Sequence, residues 1–459
     1  MADLKFPTFY PGNKLRVQRF HLFGSQMQNA DMKNKRWLLN KFCFLIFLAF
    51  IQTGCMKDKV TRTYQISTPI YEVLTTFRQS IKSLPALKVS NPGKITVAGK
   101  YIFLSEPSVG IHVIDNSNPA SPKNVSFINI PGNEDMAIKG NTLYADAYGD
   151  LISFDITDPL NVVAKNFATN VFPDHSIYMV GAAYTPGVVF NPDSINVIVG
   201  WSTRDTTIDY DPNNNVYPVY STYFSGCSGC LSLAVPSANQ AGNVVGTNGS
   251  LARFSIVNDF LYAVGYSNLL AFDITQPLTP AFTSTVMVDY HVETIYPLKN
   301  KLFVGTNNGM YMYDVQASPS NPSLIGQFVH ARGCDPVIAD DNYAYITLND
   351  SSACLGFDNQ LQIVDIKDLA NSYMVKSYQL THPEGLSKDG NDLFICDGID
   401  GLKIYDATDV NNLKLIKQLK DSEVYDVIAE NGLAIVMTKD GIYQYDYTDL
   451  NNIHLISKL

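Results

Sequence analysis

The sequence predicts an all-β fold: a seven-bladed β-propeller of four-stranded antiparallel blades, with a long insertion between blades two and three. Three observations predict it. The first is a recurring motif. Residues 401–419 read GLKIYDATDVNNLKLIKQL: a Gly turn, an alternating strand ending in Asp406, a polar turn and a second strand. The same pattern opens at Gly110, Asp150, Asn268, Gly309, Gln360 and Gly441. The second is the period. The strand-ending aspartates are Asp115, Asp155, Asp273, Asp314, Asp365, Asp406 and Asp446, separated by 40, 118, 41, 51, 41 and 40 residues. The third is the content of each unit. In the sixth, four short β-rich runs are Glu384–Lys388, Asp392–Cys396, Leu402–Asp406 and Lys414–Leu419. Four strands in a unit of about 40 residues match a propeller blade. Helical repeats would alternate with a period near 3.6, whereas these runs alternate with period two. Each Asp stands where its carboxylate can cap the following turn, so all seven read as architecture.

The 459 residues are 46% hydrophobic and 17% charged, with formal net charge −10. That composition supports a large core, and the acidic balance argues against a nucleic-acid partner gripped through its phosphates. Residues 1–31 read as neither domain nor signal, and Met32 reads as the true start. From there MKNKRWLLNKFCFLIFLAFIQTGC gives a basic segment (Lys33, Lys35, Arg36, Lys41) and then a ten-residue apolar run, Phe42–Ile51. Such a run is too short to span a bilayer and fits a secretion signal over 32–54. It ends in Gln52-Thr53-Gly54-Cys55, which resembles a lipoprotein processing box, with Gln52 where an aliphatic residue is usual. Simple secretion and an uncleaved anchor are the alternatives. Lipidation of Cys55 is favoured because the polar MKDK follows at once, and two or more acyl chains would hold the protein on a membrane.

Residues 55–87 are then the lipidated Cys, a spacer and a short helix, with Val73, Leu74, Phe77 and Ile81 spaced as one apolar face over 70–82. The propeller covers 88–459. Its period breaks over 170–249, an insertion without an anchor Asp, where Ile195–Asp211 and Val216–Phe224 alternate like a hairpin. An excursion of that length is either functional or a loose surface element. Blades one and seven must close the ring by packing.

The cores IHVID, LQIVDI and LKIYDA resemble the LVIVD-repeat family of bacterial β-propellers over roughly residues 88–459. The stretches GCDPVIADDNYAYITL, DLFICDG and DGIYQYDY are most similar to its Bacteroidetes-type lipoprotein members. The resemblance implies a propeller in the cell envelope, in keeping with an outer-membrane lipoprotein. It implies no reaction and no catalytic residue.

Of the seven cysteines, Cys43 leaves with the signal and Cys55 takes lipid. Export permits disulfides. Cys334 precedes the first strand of blade five and Cys354 lies in its second-to-third-strand loop, two points on one face, so a Cys334–Cys354 bond is expected. Cys227 and Cys230, in GCSGC, read as a local disulfide rather than as half of a zinc site. Cys396 reads as a small buried hydrophobe.

The residue opening each innermost strand is Lys94, Asp135, Arg253, Glu293, Asp335, Glu384 or Asp426. Five acids and two bases would ring one mouth of the axial channel with formal charge −3, beside Glu134, His291, Arg332 and His382. His291 and Glu293, two apart, should face the same side. Two readings stand: a site for a cation, an amine or a polyhydroxy ligand, or a self-paired ring filled with water. HExxH, GxSxG, phosphate-loop and GxGxxG patterns do not occur, so no cofactor or metal ligand set is assigned. The expected function is an envelope-anchored module that binds or scaffolds an extracytoplasmic protein or glycan. The alternative is a metal-assisted hydrolase or lyase using the acids of the mouth.

Overall fold

The computed structural model describes residues 60–172, 179–180, 196–210, 245–333, 336–350, 356 and 358–459. It divides into two units, residues 65–204 with 218–459, and residues 1–64 with 205–217. The larger unit holds seven antiparallel blades arranged as a seven-bladed propeller. Blade seven is representative: Val424–Glu430, Leu433–Thr438, Gly441–Asp446 and His454–Lys458 follow each other in order from the axis outward. The anchor aspartates do what their positions imply. Asp115, Asp155, Asp273, Asp365, Asp406 and Asp446 each accept a hydrogen bond from the amide two residues on, at 2.8–3.0 Å, and Asp314 accepts from Ala317 at 3.2 Å.

A blade cannot bury its own faces, so the core lies between blades. Ala137, Tyr144 and Leu151 of blade two pack on Phe254, Leu261 and Phe272 of blade three. The ring closes the same way, with Ile95, Ile102, Leu104 and Ile114 of blade one against Ile428, Ile435, Met437 and Ile442 of blade seven. No strand is shared across that seam. Polar side chains lock each blade to the next: Tyr144 hydroxyl to the Pro277 carbonyl, Tyr262 to Pro319 and Tyr378 to Val410, at 2.8, 2.8 and 2.9 Å. At the seam the lock is an amide pair. Asn116 and Gln444 exchange two hydrogen bonds at 2.9 and 2.8 Å.

Every blade also carries a bulge at one place between its third and fourth strands. The extra fourth-strand residues are Val125, Lys165, Thr283, Ile325, Val375, Ile416 and Ile456. A bulge bends an edge strand and interrupts its ladder.

Blade one is enlarged to six strands. Lys82–Pro85 pairs along its outer edge, and Thr247–Asn248 pairs on its innermost strand. The lead-in therefore covers a rim and does not reach the seam. Its helix is shorter than the apolar spacing predicts, covering Leu74–Ser80. Residues Val60–Val73 form a strand instead, paired with Asn196–Tyr210 of the insertion, which also pairs with Met179–Val180. Val216–Phe224, the expected hairpin partner, lies outside the described residues, as does most of the rest of the insertion. Leu74, Phe77 and Ile81 are buried against blades one and two, as their spacing implies. Arg78 pairs with buried Asp150 and donates to Thr169.

Gln444→Ala would strand the Asn116 amide and open the seam lock. It is expected to cost on the order of 1–3 kcal/mol, read as a lower urea midpoint with an unchanged slope.

Candidate functional site

The backbone register defines which residues share a rung at the start of the innermost strands. In blades one, two, three and seven these are Lys94, Asp135, Arg253 and Asp426, opposite Ser105, Asp146, Val264 and Met437. In blades four, five and six the same rung holds Thr294, Pro336 and Gly385, opposite Gly305, Thr347 and Cys396. Glu293 and Glu384 precede the rung by one residue, and so does Asp335, which lies outside the described residues. A one-residue offset turns a strand side chain to the other face. The ring of seven charges expected from sequence is thus a rung of two acids and two bases. Glu293 is the bulged residue between Val292 and Thr294. His291 has φ 54° and precedes the strand, so alternation does not tie it to Glu293.

The rung charges are engaged. Lys94 Nζ donates to Asp135 Oδ2 at 2.8 Å, and the same oxygen accepts from the backbone amide of Arg253. Arg253 Nη2 donates to the Val264 carbonyl at 3.1 Å. Beneath them Asp146 Oδ1 collects the amides of Glu134 and Asp135 and the side chain of Asn133 at 2.8, 2.9 and 2.9 Å.

The axis is occupied by the chain itself, where an open mouth was expected. Residues 245–252, the end of the insertion and the approach to blade three, run along the innermost strands. Gly246 donates to Ile138 at 2.8 Å, and Gly249 to Ile95 at 3.2 Å. Thr247 and Asn248 pair with Val97 and Thr96, and Ile295 donates to Ala252 at 2.9 Å. Ser250 Oγ accepts from the Leu386 amide at 2.8 Å and donates to Asp426 Oδ1 at 3.1 Å. Glycine is required at two places here. A Cβ on either Gly249 or Gly385 would overlap the Asp426 carboxylate. That carboxylate is enclosed, Asp426 being 1% exposed. Burial pushes it up to about 7, against the opposing pull of the Val427 amide, the Ser250 hydroxyl and the amides of Leu251 and Ser250.

A second polar group lies on the face that carries the second-to-third-strand loops and the connections between blades. His382 bridges Asp350 Oδ1 and Glu384 Oε1, at 3.2 Å each. Burial raises the Glu384 pKa, His382 opposes the shift and Glu423 adds to it. Among the described residues, no group of three or more His, Cys, Asp or Glu side chains is placed to hold a metal ion. Cys396 is buried with a free thiol, and burial pushes its pKa up. Cys55, Cys227, Cys230, Cys334 and Cys354 lie outside the described residues.

The feature that sequence reasoning missed is on the same face, across blades three and four. Met287 and Tyr290 are 71% and 72% exposed, and Tyr266 and Val329 are exposed as well. The patch is fixed from below. Tyr266 meets the His291 ring edge-on at 4.5 Å, and its hydroxyl bonds His291 Nε2 at 2.6 Å. Asp289 takes the Tyr311 hydroxyl at 2.5 Å and the Tyr290 amide at 2.7 Å. The readable signal was modest: Met287 and Val329 are apolar residues at the last position of a fourth strand, one of the alternating sites that faces water.

No family model matches the chain, and no curated protein matches it in sequence. Among solved structures, BamB from Moraxella catarrhalis is similar with TM-score 0.43 and 8% identity, covering 84% of this chain and 97% of that one. Periplasmic gluconolactonase PpgL from Pseudomonas aeruginosa gives 0.47 and 12%, covering 79% and 95%. Sqt1 from Saccharomyces cerevisiae gives 0.45 and 7%, covering 82% and 87%. Likenesses this distant carry no function from those proteins to this chain.

The raised Asp426 pKa fixes a sign. The group is protonated when folded up to about pH 7, while in the unfolded chain it ionises near 3.8. Its contribution to stability is full below the unfolded value and is lost as pH rises through the folded one, at up to about 1.4 kcal/mol per pH unit. Asp426→Asn, which mimics the protonated acid, is expected to flatten thermal melts between pH 4 and 7 relative to the unaltered protein and to raise them above pH 7.

Proposed function

We propose that this protein is an envelope lipoprotein, anchored through Cys55, whose propeller docks an extracytoplasmic protein on the rim of blades three and four. One observation carries the reading. Residues 245–252 run along the innermost strands at the axis, whereas Tyr266, Met287, Tyr290 and Val329 are exposed apolar and aromatic side chains on blades three and four. Aromatic residues and Met are enriched at the cores of protein interfaces, and tyrosines frequently supply their strongest contacts. Several large apolar side chains exposed on neighbouring blades support a binding surface more than a scattered one does. The Tyr266–His291 and Asp289–Tyr311 contacts hold the rim in one arrangement, which lowers the ordering cost of binding. Lipidation follows from the signal segment and from the Cys that ends it, and it supports a role at a membrane surface rather than free in solution.

A photoreactive phenylalanine analogue in place of Tyr290 is expected to give one protein adduct in intact cells. The adduct should vanish when Met287→Asp and Val329→Asp are added. The same analogue at Asn411, on the opposite face, should give none. An adduct indifferent to the two aspartates would overturn the docking site, and one of saccharide mass would assign the rim to a glycan. Cys55→Ala is expected to move the protein from the membrane to the soluble fraction; retention at the membrane would sink the anchor.

A further inference from the structure

We propose that residues 245–252 are the clasp that closes the ring, tying the first blades to the last through the axis in place of a strand shared at the seam.

The need for a clasp follows from the topology. Blades one and seven are each built from their own consecutive strands, and their seam rests on apolar packing plus the bonds of Gln444 to Asn116 and to the Pro119 carbonyl. Between every other pair of neighbouring blades the chain itself is a tether. At this seam it is not, so the pair would separate before any other unless something else spans it.

The axial strip spans it. On one side it is a strand of blade one, with Thr247 and Asn248 paired to Val97 and Thr96 and with Thr96 Oγ1 bonded to Asn248 Oδ1 at 2.8 Å. Two residues later Ser250 is bonded to Asp426 of blade seven and to Leu386 of blade six. Thr247 also reaches Glu430 of blade seven at 3.5 Å. Gly246 and Ala252 add blades two and four. The arrangement is specific and not a generic filling. Gly249 and Gly385 are the only side-chain size that lets the strip and blade six close on the Asp426 carboxylate together. The buried serine is used in both directions, as acceptor from one blade and donor to the next, so losing its seat unpairs two blades at once.

The titratable group facing Asp426 from blade six is the Cys396 thiol. The groups facing it from the strip are the Ser250 hydroxyl and the backbone amides of Ser250 and Leu251. All three of the strip's groups are hydrogen-bond donors to the Asp426 carboxylate.

The test is hydrogen exchange, read blade by blade on the full chain. Gly249→Ala forces the strip off Asp426, and Asn248→Ala removes the bonds to Thr96 and Phe254 without touching Asp426. With either variant, exchange at seam amides such as Ile442 and Leu459, which bond each other at 3.0 and 2.9 Å, should rise by about tenfold or more. Amides in the middle of blades four and five should hold. If Gly249→Ala fails to fold, Asn248→Ala decides alone. An even increase in every blade, or no increase at the seam, would show that the strip only fills space and would overturn the clasp.

Discussion

Sheets that can bury their faces only against one another set the terms for this molecule. A four-stranded blade has two apolar faces and no helix layer to cover them, so each blade must find two neighbours. The ring is the arrangement in which none is left short. Its middle strands are buried almost completely on both sides, as in Leu302, Phe303 and Val304 of blade four. The price is that the last interface must form without covalent help. Most irregular features of the chain gather near that interface: the amide pair, the axial strip, the buried acid and the two glycines beside it.

The regular part of this design was legible because it is local. An Asp that ends a third strand bonds an amide two residues ahead in six blades and three ahead in blade four, whatever the rest of the chain does, so these residues made the blade count and the turns readable. The apolar spacing of Leu74, Phe77 and Ile81 was legible for the same reason. Its N-terminal extent was not, because Val60–Val73 is held as a strand by residues more than a hundred positions away, and pairing overrides propensity.

The mouth of the axis was legible only in part. Lys94, Asp135, Arg253 and Asp426 do share a rung. Glu293 and Glu384 miss it by one residue. In blade four Thr294, the residue after the bulge at Glu293, takes the rung. In blade six, a glycine takes the rung because Asp426 needs the space next to it. Neither arrangement is visible in a single strand read alone. The filled axis was beyond any local reading, since VGTNGSLA carries no strong signal and takes its conformation from five blades at once. At the mouth, Lys94, Asp135 and Arg253 are engaged with one another and with the backbone. The exposed tyrosines, Tyr266 and Tyr290, sit instead on blades three and four.

The recurring bulge has a further consequence. A propeller of this size presents its outer strands to water as a set of unpaired backbone donors and acceptors, and such edges invite strands from other molecules. A molecule with several sticky edges would act as a cross-linker, since each added neighbour would bring more edges and growth would not stop at a pair. The extra residue in every fourth strand splits its ladder into two short stretches, and in blade one Lys82–Pro85 occupies the edge outright. The bulge thus interrupts the continuous edge that an incoming strand would need, at the same place in every blade.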